Sequence, residues 1–192
     1  FFAPNDRAFE AYFKSGKFSG ISAIDSASAR AMVQYMLIYN KFSDSTLDDY
    51  QASENNTGWT YDAAFRRRTA YYTGFYKDTS TLGSIMAIAD NRNNTTTSLT
   101  GNYISSDYNN KYITYFKDDF FATAGLTAAD YNYFFPQSTY SGFNVLGAKV
   151  ATANIDAENG MIHEIDKVID PLPSIDEYLK ANPNYSSFWK IL

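Results

Sequence analysis

The stretch GFNVLGAKVATANIDAENGMIHEIDKVID, residues 142–170, constrains this chain more than any other. Asn159-Gly160 sits in it between two strand-like segments. Asn-Gly adopts positive φ at little cost, which makes it the strongest short-range signal for a β-hairpin. Beyond the turn, Met161, His163 and Ile165 fall on one face of a strand, and Ile162, Glu164 and Asp166 on the other. A sheet with one buried face is therefore expected at this end of the chain.

Helices are expected at the other end. Pro4 precedes Asn5 and Asp6, either of which caps a short helix. Phe9, Tyr12 and Phe13 form its apolar stripe, and Gly16 to Gly20 break it. A second helix is expected from Asp25 or Ser26. Its stripe is Ala29, Met32, Val33, Met36 and Leu37, with Ser28, Arg30 and Gln34 on the opposite side. Residues 41–60 read as a polar loop. Phe65–Lys77 is aromatic and Thr-rich and reads as a strand, with Gly74 marking a bulge or turn. GSIMAIA reads as another strand. Residues 90–102 read as an exposed polar loop. A strand is expected over Lys111–Phe116, running into Asp118-Asp119, and LTAADYNYFFP as a capped helical turn closed by Pro136. In the tail, Ser174 and Glu177 form a capping box. Asn184 is the expected cap of a last helix with the stripe Tyr185, Phe188, Trp189 and Leu192.

With 192 residues the chain suits one domain that buries a core without staples. It contains no Cys, which excludes disulfides and thiolate metal sites. Sixteen Lys and Arg against 21 Asp and Glu give a net charge of −5, which argues against a nucleic-acid partner. The basic run Arg66-Arg67-Arg68 reads as a solvated strand end. No apolar run is long enough to span a bilayer. Seventeen Tyr and 15 Phe in a Thr- and Asn-rich chain of low charge suit an extracellular protein.

Residues for chemistry are sparse. His163 is the single His. No H-E-x-x-H, P-loop, G-x-G-x-x-G or calcium-loop pattern occurs. Asp48-Asp49 and Asp118-Asp119 read as solvated loop charges, because acids adjacent in sequence do not specify the spaced pair of a glycosidase. Tyr71, Tyr72, Phe75 and Tyr76 are candidate sugar-stacking rings, half of them assigned to the core by strand alternation.

Two stretches carry a resemblance. FFAPNDRAF at residues 1–9 resembles the first signature of the fasciclin-type adhesion domain, and VATANIDAENGMIHEIDKVIDP at residues 150–171 resembles its second. ARAMVQYMLIYNKFS falls where that family has its central helix and following strand, with Met36 near the place of a His found in many members. The segment from Asn40 to about Asn110 is longer than usual, which is similar to long forms in Bacteroidetes surface lipoproteins. The resemblance implies an α+β fold, a compact β-sandwich or wedge with helices packed along it. It implies fold-determining roles for Pro4, Asn5, Asp6, Phe9, Asn159, Gly160, Ile162, His163 and Asp166. No catalytic residue, metal or cofactor is implied, and no binding residue is assigned.

The resemblance divides the chain into a domain at 1–171 lacking its opening helices and, at 172–192, the opening helices of a following tandem copy. Those helices are expected to fill the vacancy within the chain or, by swapping, in a neighbouring copy. The implied function is non-catalytic adhesion or binding at a bacterial cell surface, with a protein or glycan partner. The second reading is a carbohydrate-binding accessory of a glycan-uptake system.

Overall fold

The computed structural model describes residues 1–49, 65–77, 85–89 and 102–191. The chain opens with β1 (Phe2–Pro4) and α1 (Asp6–Lys14). Asn5 is the cap, its side-chain oxygen accepting from the Ala8 N–H at 3.0 Å. Gly16 breaks the helix at φ 88°. The Asp25 carboxylate caps α2 (Ser26–Met36) by accepting from the Ala27 and Ser28 N–H groups. The buried face of α2 is narrower than the apolar pattern suggests. Met32, Tyr35 and Met36 are buried, whereas Val33 and Leu37 are exposed. Tyr35 enters the core because its hydroxyl finds a partner there, donating to the Tyr112 carbonyl at 3.2 Å.

Long strands follow: β2 (Arg66–Lys77), β3 (Ile85–Ala89) and β4 (Asn102–Lys117). Gly74 sits at a register shift in β2, as its place in the strand suggests. Asp118 and Asp119 open a helix not foreseen, α3 (Asp118–Ala124), which ends in a left-handed Gly125. Thr127 and Asp130 form a reciprocal capping box at α4 (Ala128–Phe134). Then come β5 (Phe143–Val145), β6 (Ala148–Ala157) and β7 (Gly160–Ile165).

The seven strands form one sheet in the order β1-β7-β6-β5-β4-β2-β3. Strand β1 pairs with β7 in parallel, and the other pairs are antiparallel. The fold is thus α+β. The strands join a single mixed sheet, where a sandwich or wedge of strands was expected. One core lies under it, built from Phe2, Met32, Met36, Ile38, Leu47, Ile113, Tyr115, Val145 and Ile165 among others. A second, aromatic cluster seats α3 and α4. Phe121 stacks on Tyr140 at 4.6 Å, and Phe116 meets Tyr131 edge-on at 5.1 Å.

The hairpin at residues 157–160 forms, but by a different turn. Ala157 pairs with Gly160, so the two loop residues are Glu158 and Asn159. Neither Asn159 nor Gly160 takes the left-handed φ that the Asn-Gly pair makes cheap. The left-handed residues of this region are Leu146, at φ 48° in the tight β5–β6 turn, and Asn154, at φ 60° in a bulge of β6.

The tail carries α5 (Ile175–Ala181), a 3-10 turn (Pro183–Tyr185) and α6 (Ser186–Trp189). The Ser174–Glu177 capping box is present in both directions. Asn182, not Asn184, caps the turn before α6. Leu179 is buried, but Ile175, Tyr178, Tyr185 and Phe188 are exposed, and α5 packs chiefly on the turn and α6 beside it. Of the stripe expected to fill the vacancy, Tyr185 and Phe188 are thus exposed and Trp189 is half-buried. Leu192 and the loop at 90–101 lie outside the described residues, as do 50–60 of the expected polar loop.

Candidate functional site

The residues singled out in the sequence lie mainly along the β1–β7 seam and act there as fasteners. Pro4 pairs with Ile165, and the Asn5 N–H donates to the Ile165 carbonyl at 3.1 Å. The Asn5 amide also donates to Glu164 Oε1 at 2.9 Å. Asp6 is exposed in the first turn of α1, where its charge suits the helix N-terminus. Phe9 packs half-buried on the core. Ile162 pairs with Ile155, and Asp166 Oδ1 accepts from the Lys149 N–H at 2.7 Å. Asn159 and Gly160 stand apart at the hairpin tip.

His163 is buried between Phe2 and Phe143, whose ring centroids lie 5.6 and 5.7 Å from its own. Its Nδ1 accepts from the Asn154 N–H at 3.4 Å, and its Nε2 donates to the Phe42 carbonyl at 3.0 Å. These partners fix the neutral Nε2–H tautomer. Burial lowers its pKa from the ordinary 6.5, the bond to Phe42 opposing. With both nitrogens occupied, His163 faces no nucleophile. It joins β7 to the bulge of β6 and to the 42–46 segment, where Asn154 Oδ1 also accepts from the Asp44 N–H at 2.7 Å.

The acids behave unlike the sequence reading. Asp48 is not a solvated loop charge: it is 1% exposed and meets the buried Lys117 ammonium at 2.7 Å. Lys117 also donates to the Asp44 carbonyl. Asp119 is exposed, as expected. The described acids with a shifted pKa, Asp25 and Asp130, are pushed down, chiefly by the N–H groups of Ser28 and Thr127 respectively. That direction is opposite to what a general acid needs. Among the described residues no cluster of three or more His, Asp or Glu side chains is placed to hold a metal, and no helix is long and apolar enough to cross a membrane.

The surface feature with chemistry is a groove of about 440 Å³ lined by Tyr39, Asn40, Phe42, Arg66, Arg67, Arg68 and Tyr112. Strand alternation builds it. Arg67 and Thr69 share the core face of β2, opposite Ile113, while Arg66 and Arg68 share the outer face. Tyr112 pairs with Arg68 and so stands on that outer face too. A bridge between Ile38 and Thr69 brings the 37–40 segment alongside β2, which places Tyr39 beside Arg68. The result is a row of rings and guanidiniums. The Arg66 guanidinium lies 4.9 Å from the Tyr112 centroid and 5.6 Å from that of Phe65, and Arg68 lies 6.0 Å from Tyr39. Tyr39, Phe65 and Tyr112 are 42%, 43% and 39% exposed. Arg67 turns toward the 42–49 segment. Its guanidinium lies 4.3 Å from the Phe42 centroid and donates to the carbonyls of Leu47 and Asp49.

Of the expected stacking rings, Tyr72 is buried and Tyr71 is half-buried beneath the Lys111 ammonium, 4.8 Å from the ring centroid. The side chains of Phe75 and Tyr76 lie outside the described residues. The exposed rings beside cations are instead Tyr39, Phe65 and Tyr112. Sequence alone does not join them, because they come from three separate segments. The available signal was the arginine run, whose alternate members share one strand face. No protein-family model, curated protein or solved structure matches the chain.

Proposed function

We propose that this chain is a non-catalytic binding module that adheres to a surface protein or glycan, of the fasciclin type and one unit of a tandem array at a bacterial cell surface. The observation that carries the binding reading is the outer-face groove, where cations and exposed rings alternate on a rigid sheet. Flat rings with polar tips bury area at small entropic cost, and Tyr and Arg are enriched at binding hot spots. The fasciclin assignment is supported by the work done by its two sequence signatures. Asn5 and Glu164 join across the chain, and Phe2 pairs with His163, so the first signature is fastened to the second. Localisation with surface lipoproteins belongs to the same proposal.

A second reading, a carbohydrate-binding accessory of a glycan-uptake system, is favoured by the exposed rings of Tyr39, Phe65 and Tyr112. The test is a screen of the chain against arrayed glycans and immobilised surface proteins, with mass analysis of each captured ligand. The proposal predicts saturable capture with the ligand recovered unaltered. Cleaved or modified ligand would assign the chain to the enzymes, and silence across both arrays would leave it as a spacer.

A further inference from the structure

We propose that the groove at Arg66, Arg68 and Tyr112 takes the carboxylate of an acidic sugar residue at the end of a glycan. The inference rests on the binding-module reading and names its ligand class.

Three observations converge. First, Arg66 and Arg68 are exposed, and among the described residues their side chains contact aromatic rings with no carboxylate within ion-pair distance. The chain has more acids than bases, 21 against 16. Two adjacent cations without an acid partner are thus a local concentration of positive charge against the overall sign. Two residues apart on one strand face, they stand roughly 7 Å from each other. That spacing lets both converge on one anionic group. Stacking on rings restrains each guanidinium without using its five donors, which match a carboxylate in bidentate fashion.

Second, three rings, Tyr39, Phe42 and Tyr112, line the groove among its arginines. The C–H face of a pyranose packs on an exposed ring such as Tyr112, while the Tyr112 hydroxyl and the Asn40 amide meet sugar hydroxyls. A volume of about 440 Å³ lies within the range of small-molecule sites, about 300–1,000 Å³.

Third, the charge balance selects a ligand of low charge. A net charge of −5 repels a polyanion from a distance. A single carboxylate is exposed to that repulsion once, and screening confines it to about 8 Å at physiological salt. An end-group acid therefore fits better than a nucleic acid or a polyacidic peptide.

The experiment is calorimetric titration of the whole chain with oligosaccharides ending in glucuronate, galacturonate or N-acetylneuraminate. Each is compared with its counterpart whose carboxyl is reduced to the alcohol. Loss of charge-assisted hydrogen bonds is expected to weaken binding of the best acid at least about tenfold. Arg66→Gln/Arg68→Gln is expected to abolish the preference for the acid while leaving the melting temperature unchanged. Tyr112→Phe, which removes only a hydroxyl, is expected to keep it. Equal binding of acid and alcohol, a preference retained in the double variant, or no binding of any acid would each overturn the inference. So would tighter binding of a single-stranded oligonucleotide or polyglutamate through the same arginines. If the acids fail while the array screen returns a protein ligand, this inference falls and the binding-module reading stands.

Discussion

Lys117 is 5% exposed, and its ammonium reaches Asp48 at 2.7 Å with the Asp44 carbonyl beside it. Among the described residues Asp48 Oδ2 has no hydrogen-bond partner, and Lys117 is the cation that meets the carboxylate. Removing the acid would leave the buried ammonium with the Asp44 carbonyl and with the Asp44 and Asp119 carboxylates at 3.9 Å, so the cost is bounded above by the about 3–5 kcal/mol of a fully broken buried pair. Asp48→Ala is therefore expected to lower the unfolding free energy by more than about 1 kcal/mol and up to that amount in urea titrations, whereas Asp49→Ala, at a half-buried carboxylate outside the pair, changes it by less. Gly142 supplies a second residue-scale test. It has φ 88°, and a Cβ there would lie 2.8 Å from Asp118 Oδ2. Its carbonyl accepts from the Asp118 N–H, so the turn and the start of α3 are joined. Gly142→Ala is expected to cost more than about 1 kcal/mol, read from the same titrations.

His163 gives the residue scale its pH dependence. Its folded-state pKa lies below the ordinary 6.5, mainly through burial, with Asp44 pulling it up and Lys117 pushing it down. Below pH 6.5 the unfolded chain therefore binds the proton first. The stability that His163 contributes is complete above that pH and is lost as the pH falls through the lower, folded-state value. Unfolding free energy should drop between pH 7 and pH 5.5, and His163→Asn should flatten the drop. Identical slopes for the two proteins would show that another group titrates there.

At the scale of elements, local chemistry was legible and the geometry it served was less so. The Ser174–Glu177 box is read directly from sequence, the caps of the first two helices to within one residue, and a capped turn in LTAADYNYFFP without its partners, because a cap depends only on residues within one turn. The hairpin at residue 160 was also legible, but not its turn. Pairing of Ala157 with Gly160 moved the loop one residue back and left the Asn-Gly pair without the φ that makes it distinctive. The left-handed residue that matters is Asn154. Its bulge aims one backbone N–H at His163 and one side-chain oxygen at Asp44. No local pattern announces that, since the bulge is defined by what β7 and the 42–46 segment require. Asp48 misled for the same reason: its partner is 69 residues away. On α2 the buried face is turned from the expected stripe toward Tyr35, on the flank of Met32 and Met36 opposite Val33, so Val33 is left exposed.

At the scale of the molecule, the sheet has two unlike faces around β2 and β4. One carries the core through Thr69, Ile113 and Tyr115. The other carries Arg66, Arg68 and Tyr112, flanked by Tyr39 and Phe65. The two signatures fasten β1 to β7 at one side of the sheet, and the groove lies toward the other, beyond β5, on β4 and β2. Fastening and binding are thus assigned to separate strands, so groove side chains can be changed without disturbing the seam. The most direct measurement is capture on the glycan and protein arrays by the chain and by Arg66→Gln/Arg68→Gln/Tyr112→Ala, with thermal melting of both. The spots captured by the parent chain are expected to be lost by the triple variant at an unchanged melting temperature. The same spots retained by a folded triple variant would contradict that expectation.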